Sequence, residues 1–262
     1  MDTVNTFPEE ALMKKALIEI RELRAKLDRL ERVRREPIAI IGMGCRFPGA
    51  ANPEEFWQLL ENGVDAIREV PAERWDVETY YDPNPETPGK MYTRSGGFLD
   101  GVDQFSPAFF GISPREAIYM DPQQRLLLEV SWEALERAGA SPERLLNRQV
   151  GVFVGIGTTD YADMQVPQGA SAVDAYNGTG GAHSVASGRL SYLLGVRGPS
   201  LAIDTACSSS LATIHLAVAS LRSGESDLAL AGGVNLTLAP DVYVSLCKAR
   251  MLSPDGRCKT FD

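Results

Sequence analysis

One cysteine stands where a nucleophile could be made. Cys207 lies in DTACSSSL (Asp204 to Leu211), where an apolar stretch, SLAIDTA, gives way to a helical one, SSSLATIHLAVASLRSG. A thiol at the first turn of a helix faces unpaired backbone N–H groups and the positive end of the helix dipole. Both favour the thiolate, which is the nucleophilic form. Ser208, Ser209 and Ser210 are small enough for a substrate to come close, while Leu211, Ile214, Val218 and Leu221 recur at spacings of three and four and would hold the helix to a core. The local sequence leaves a second reading open, a buried structural cysteine, because free Cys is among the most buried residue types.

A nucleophile needs an acid–base partner, and the chain has only two histidines. His215 lies eight residues beyond Cys207 on the same predicted helix. At about 1.5 Å rise per residue that is roughly 12 Å along the axis, too far to serve as its base. His183, in GAHSVASGRLSY, opens another helix, and its distance from Cys207 is not fixed by sequence. Both read best as hydrogen-bonded or surface histidines. Neither lies near a cysteine or carboxylate pair with ligand spacing, so no metal is expected. Gly42-Met43-Gly44 starts like a dinucleotide fingerprint, but Phe47 stands where the third glycine would be. Gly155-Ile156-Gly157 is equally unspecific, and NGTGG (Asn177 to Gly181) reads as tight backbone packing. No bound cofactor is expected.

The composition excludes several classes of function. With 26 basic against 35 acidic residues the net charge is −9, which argues against a nucleic-acid surface. No apolar run reaches the ~18 residues of a membrane span, and MDTVNTFPEEALMKK lacks the apolar stretch of a secretory signal. A cytoplasmic protein with no membrane contact is expected. Cys45, Cys207, Cys247 and Cys258 form no C-x-x-C pair and read as reduced thiols, and the N-x-T matches at Asn177 and Asn235 read as chance.

The elements that must position Cys207 are those of an α/β domain spanning 37–262. Ile38 to Ile41 read as a fully buried strand, as do Val150 to Val154 and Leu228 to Val234, with another strand around Leu201 to Asp204. Glu54 to Asn62 and Pro114 to Ala138 read as helices, and Arg74 to Gly111 as a long excursion over the surface. Residues 1–36 are organised differently. Between Ala11 and Glu36 there is no Gly or Pro, and Met13, Ile20 and Leu27 fall at heptad a with Ala16, Leu23 and Leu30 at d. Glu19 and Lys26 at g would then meet Arg24 and Glu31 at e of a parallel partner, opposite in sign at both pairs. A parallel two-stranded coil fits, and a lone helix packed on its own domain is the alternative. Pro8, Glu9 and Glu10 mark its start and Pro37 its end.

Five blocks carry a resemblance to a known family. EPIAIIGMGCRFPG (Glu36 to Gly49), MDPQQRLLLEVSWEALERAG (Met120 to Gly139), GVFVGIGTTDY (Gly151 to Tyr161), GRLSYLLGVRGPSLAIDTACSSSL (Gly188 to Leu211) and RMLSPDGRCKTFD (Arg250 to Asp262) together resemble the β-ketoacyl synthase domain of modular type I polyketide synthases. The resemblance implies the first half of a thiolase-like, five-layer αβαβα sandwich that acts as a homodimer. It also makes the preceding helix (1–36) look like the docking segment through which such subunits meet an upstream synthase subunit. Cys207 would accept an acyl chain as a thioester from an acyl carrier protein, with its own backbone N–H as an oxyanion-hole donor. A malonyl-type unit, carried like the acyl chain on a phosphopantetheine arm of an acyl carrier protein, would then be decarboxylated and condensed with it.

The same resemblance places two histidines, a lysine and the second oxyanion-hole donor in segments of the HGTGT and NIGH kind, which this sequence does not contain. The expectation is therefore an N-terminal portion of a larger polypeptide, inactive in condensation by itself. Two other classes stay open: a thiol acyltransferase or hydrolase using the same cysteine, and a non-enzymatic docking and dimerisation module.

Overall fold

The computed structural model describes residues 7–165, 171 and 173–260, with the side chains of its first helix described from Ala11 to Asp28. That helix, α1 (Phe7–Arg35), is followed by α2 (Pro53–Glu61), β1 (Arg68–Glu69), α3 (Val77–Tyr80), β2 (Ser95–Gly96), a 3-10 turn (Pro107–Phe110), α4 (Pro114–Tyr119) and α5 (Pro122–Arg137). After these come α6 (Pro142–Leu145), β3 (Val150–Gly155), α7 (Asp160–Gln165), α8 (Ala175–Gly181), α9 (His183–Leu194), β4 (Ser200–Ile203), α10 (Ser209–Ser223), β5 (Leu228–Gly233) and α11 (Asp241–Lys248).

Every side chain from Ala11 to Asp28 is exposed, so this stretch of α1 does not pack on its own domain. Met13, Ile20, Leu23 and Leu27 present the expected stripe to solvent. Leu30 and Glu31, with Pro8, Glu9 and Glu10, lie outside the described side chains.

The sheet that carries the site has three parallel strands in the order β4-β3-β5. Parallel neighbours need crossover connections, and here they are helical: α7 to α9 between β3 and β4, α10 between β4 and β5. β3 is central and buried at all six positions, with side chains alternating between two helical layers. Val152 and Val154 face a cluster built from Met120, Leu127 and Leu128 before and within α5 and Ala186 and Leu190 of α9. Gly155, of the opposite parity, faces the start of α10.

Four expectations need correction. Ile38 to Ile41 form no strand; they are solvent-exposed, with Ile40 81% accessible. An apolar run becomes a strand only where a neighbouring strand satisfies its backbone, and among the described residues it has none. Of the strands that do form, only β3 is covered on both faces, since β4 and β5 are partly exposed. The helix expected over Pro114 to Ala138 is two, broken at Met120 and Asp121, because the residue before Pro122 is driven out of the α region (Asp121 ψ 131°). The break is capped by the Asp121 carboxylate, which accepts the Gln123 N–H at 2.8 Å. Finally, residues 74–111 are no mere surface excursion. Trp75, Met91 and Phe98 are buried with Cys247 of α11 in a second core, where Trp75 and Phe98 meet edge to face at 5.8 Å.

Gly42 and Gly44, which lack the third glycine of a fingerprint, serve packing. A Cβ on Gly42 or Gly44 would lie 2.2 Å from Ala134 O and 2.4 Å from Val130 O, so both let the chain run tight along α5. Gly180 of NGTGG, as expected, allows close packing, against Tyr119 O.

Candidate active site

β4 ends at Ile203, and four residues later the chain presents Cys207 on an exposed turn. The turn is tight because Ala206, immediately before the cysteine, takes the left-handed conformation (φ 54°), which L-residues other than Asn and Asp seldom adopt. Three side-chain groups hold it there. The Asp204 carboxylate accepts the Ala206 N–H at 2.8 Å. The Ser209 hydroxyl accepts the Thr205 N–H at 2.9 Å and donates to Ala206 O at 2.7 Å. The Ser208 hydroxyl turns back to Thr205 O (2.8 Å) and Thr205 Oγ1 (2.9 Å).

Cys207 therefore sits slightly differently from the position expected. The first helical residue is Ser209, with Ser208 as N-cap, so Cys207 precedes the helix instead of lying in its first turn. Ser208 makes no side-chain cap, which leaves the positive end of α10 open beside the thiol. The buried-cysteine reading fits Cys247, not Cys207, which is exposed.

The turn projects at the carboxyl ends of three parallel strands, the edge at which α/β sheets bind ligands. Its approach to the sheet depends on residues that carry no side chain. A Cβ on Gly155 at the end of β3 would lie 2.9 Å from Ser209 Cβ, and one on Gly233 at the end of β5 would lie 2.9 Å from Ser210 Cβ. A Cβ on Gly157 would lie 2.9 Å from Asp204 Oδ1. Gly155-Ile156-Gly157, unspecific as a motif, is thus the floor under the cysteine turn.

The loops around this floor are tied by buried polar groups that the sequence reading did not single out. Gln123 Nε2 donates to Thr158 O (3.2 Å) and to the Asp121 carboxylate (3.3 Å), while Gln123 Oε1 accepts Thr158 Oγ1 (3.1 Å) and Leu236 N–H (3.3 Å). Asp160 accepts Leu238 N–H at 2.8 Å and Ala239 N–H at 3.2 Å. Together they join the loop after β3 to the loop after β5. Burial pushes the Asp121 carboxyl up from its ordinary value, against the hydrogen bonds from Gln123. The signal available in sequence was a Gln pair directly after Asp-Pro at a helix start, too common to read alone.

His183 Nε2 lies 3.0 Å from Thr158 O, a backbone partner that accounts for this ring nitrogen. His215 is exposed on α10, eight residues beyond the cysteine. The geometry brings neither histidine into a hydrogen bond with Cys207. No helix among the described residues is long and apolar enough to cross a membrane.

Comparison with known proteins places this geometry in context. The model of the β-ketoacyl synthase N-terminal domain matches residues 35–262. A phenolphthiocerol/phthiocerol polyketide synthase of Mycobacterium tuberculosis is 55% identical over 228 residues, covering 87% of this chain and 12% of that protein. Pikromycin polyketide synthase component PikAII of Streptomyces venezuelae is 51% identical over 265 residues, covering all of this chain and 7% of its own length. Among solved structures, an oxazolomycin ketosynthase domain of Streptomyces albus superposes with a TM-score of 0.80 at 40% identity, over 86% of this chain and 39% of that one. The ketosynthase from module 6 of the Bacillus subtilis bacillaene synthase gives 0.76 at 44% identity, over 86% of this chain and 36% of its own. The chain thus spans well under half the length of each of these relatives.

Proposed function

The chain belongs to the β-ketoacyl synthase family and has the thiolase-like fold of polyketide synthase ketosynthases, and from that premise we propose that Cys207 is the residue acylated during chain extension. The observation that carries the reading is the exposed thiol on a left-handed turn at the carboxyl ends of a parallel sheet. The Cys207 thiolate attacks the carbonyl carbon of an acyl thioester borne on the phosphopantetheine arm of an acyl carrier protein. The bond from that carbon to the arm's sulfur breaks, and the arm leaves as a thiol after taking up a proton. A malonyl-type thioester on a carrier protein then loses carbon dioxide, and the electron pair left on carbon attacks the acyl–Cys207 carbonyl. A carbon–carbon bond forms and Cys207 departs as thiolate.

Negative charge gathers on the carbonyl oxygen in both additions, and a backbone N–H aimed at it is worth most where water is excluded. The Cys207 N–H is the donor assigned here. His183 is engaged with Thr158 O and His215 stands eight residues along α10, so neither is assigned to the decarboxylation. The test is acylation by the butyryl thioester of N-acetylcysteamine, which carries the end of the phosphopantetheine arm. Mass spectrometry of the full-length protein should find the butyryl group on the peptide containing Cys207, and none after Cys207→Ala. Equal labelling of the variant would overturn the assignment.

A second reading concerns residues 1–36, as a parallel two-stranded coil that receives an upstream synthase subunit. It is supported by the exposed stripe of Met13, Ile20, Leu23 and Leu27, by the Glu19–Arg24 and Lys26–Glu31 complementarity, and by a PikAII match that includes this segment. In the complete synthase subunit, deleting residues 1–36 should weaken acyl transfer from the upstream subunit and leave intrinsic condensation unchanged. Unchanged transfer would refute the docking role.

A further inference from the structure

The hydroxyl of Ser209 closes a ring of hydrogen bonds across the peptide units just before Cys207. It accepts the Thr205 N–H at 2.9 Å and donates to Ala206 O at 2.7 Å, a carbonyl that also accepts the Ser209 N–H at 3.1 Å. Ala206 O belongs to the same planar peptide as the Cys207 N–H, and in a trans peptide the two groups point in opposite directions. Whatever fixes the direction of the Ala206 carbonyl therefore fixes the direction of the Cys207 N–H. A donor on the carbonyl also polarises the peptide and makes that N–H a stronger donor in turn. On the preceding peptide, Asp204 Oδ1 holds the Ala206 N–H at 2.8 Å, so both sides of the left-handed residue are tied. The Ser209 side chain is half-buried beside Gly155, where no Cβ could intrude without displacing it.

We propose that Ser209, seconded by Asp204, is a positioning residue that aims the Cys207 N–H at the oxyanion formed during acyl transfer. The inference rests on the assignment of Cys207 as the acylated residue. It makes a demand that a merely structural role does not. Acylation passes through an oxyanion, whereas alkylation of the same thiol by iodoacetamide is a direct displacement at carbon with no oxyanion to stabilise. Losing the Ser209 hydroxyl should therefore slow the first reaction and spare the second.

The experiment compares both rates at Cys207 in the full-length protein, using the butyryl thioester of N-acetylcysteamine and iodoacetamide, read on the peptide that contains it. Ser209→Ala should acylate at least tenfold more slowly while its alkylation stays within about twofold of the unsubstituted protein. Asp204→Ala gives the same split by a separate route, should Ser209→Ala fail to fold, and Asp204→Asn, which keeps the acceptor, should retain most of the acylation rate. Two rates that fall together, or neither falling, would overturn the positioning role. Acylation that survives Cys207→Ala would instead overturn the underlying assignment, so the two failures are told apart.

Discussion

At the scale of single residues, the cysteine was visible in the sequence and its support was not. Small and apolar residue types around Cys207 mark a strand giving way to a helix, but no spacing rule says that Ala206 will be left-handed or that Ser209 will reach back across the turn. Those follow from a backbone that must reverse within four residues of β4 while its N–H groups find acceptors. The buried frame behind the turn carries its own test. Asp121 is buried beside Gln123, His183 and Asp160, and its carboxyl is raised by desolvation. The native state thus favours the protonated form more than the unfolded chain does. That contribution to stability is complete below the ordinary carboxylate range and is lost as pH rises through the raised native value. Asp121→Asn does not titrate, so the difference in unfolding free energy between the two proteins should move in favour of the unsubstituted one as pH falls from neutral. The sign of the change follows from the raised carboxyl, a trend that any fixed loss of hydrogen bonding in the variant leaves intact. Urea unfolding at several pH values measures it, and a difference independent of pH would refute it.

At the scale of elements, periodicity found β3, β4, β5, α2 and α10 within a residue or two, because each is held by one consistent pattern of apolar spacing. It failed where a single residue overrides the pattern, as Pro122 does between α4 and α5. It failed also where a core is assembled from scattered aromatics, as Trp75, Phe98 and Tyr243 do. Glycine spacing was read as unspecific because its meaning lies across the sheet. Gly155 and Gly233 belong to adjacent strands, and each faces the first turn of α10. A methyl group at either position meets Ser209 or Ser210 at 2.9 Å, partly against backbone that cannot give way locally. Gly155→Ala and Gly233→Ala should therefore lift the start of α10, destabilise the protein by about 1–3 kcal/mol and cut acylation of Cys207 more than tenfold. Gly178 in α8 has open space where its Cβ would be, so Gly178→Ala should stabilise by about 0.5–1 kcal/mol through helix propensity and leave acylation alone. Thermal unfolding and thioester labelling separate the two cases. Equal behaviour of the three variants would show that the floor of the turn does not depend on bare strands.

At the scale of the whole molecule, much apolar surface is exposed among the described residues. The sheet has one fully buried strand, Leu211 and Ile214 on α10 are exposed, Tyr192 on α9 is 90% accessible, and Ile38 to Ile41 are exposed with no strand among the described residues to pair them. A parallel sheet is stable when both faces are covered and its backbone groups are paired. The solved ketosynthases supply the comparison, since this chain corresponds to 39% and 36% of them at TM-scores of 0.80 and 0.76. The strand expected at Ile38 to Ile41 does not form, because among the described residues no strand lies beside it to pair its backbone. In a polypeptide extended to the length of those ketosynthases, the amides of Ile38 to Ile41 should become hydrogen-bonded and exchange with deuterium at least a hundredfold more slowly than in the 262-residue chain. The amides of β3, already paired on both sides, should change far less and serve as the internal reference. If residues 38–41 exchange as fast in the longer protein, the apolar run is a surface segment in its own right. The sheet around Cys207 would then be complete with three strands.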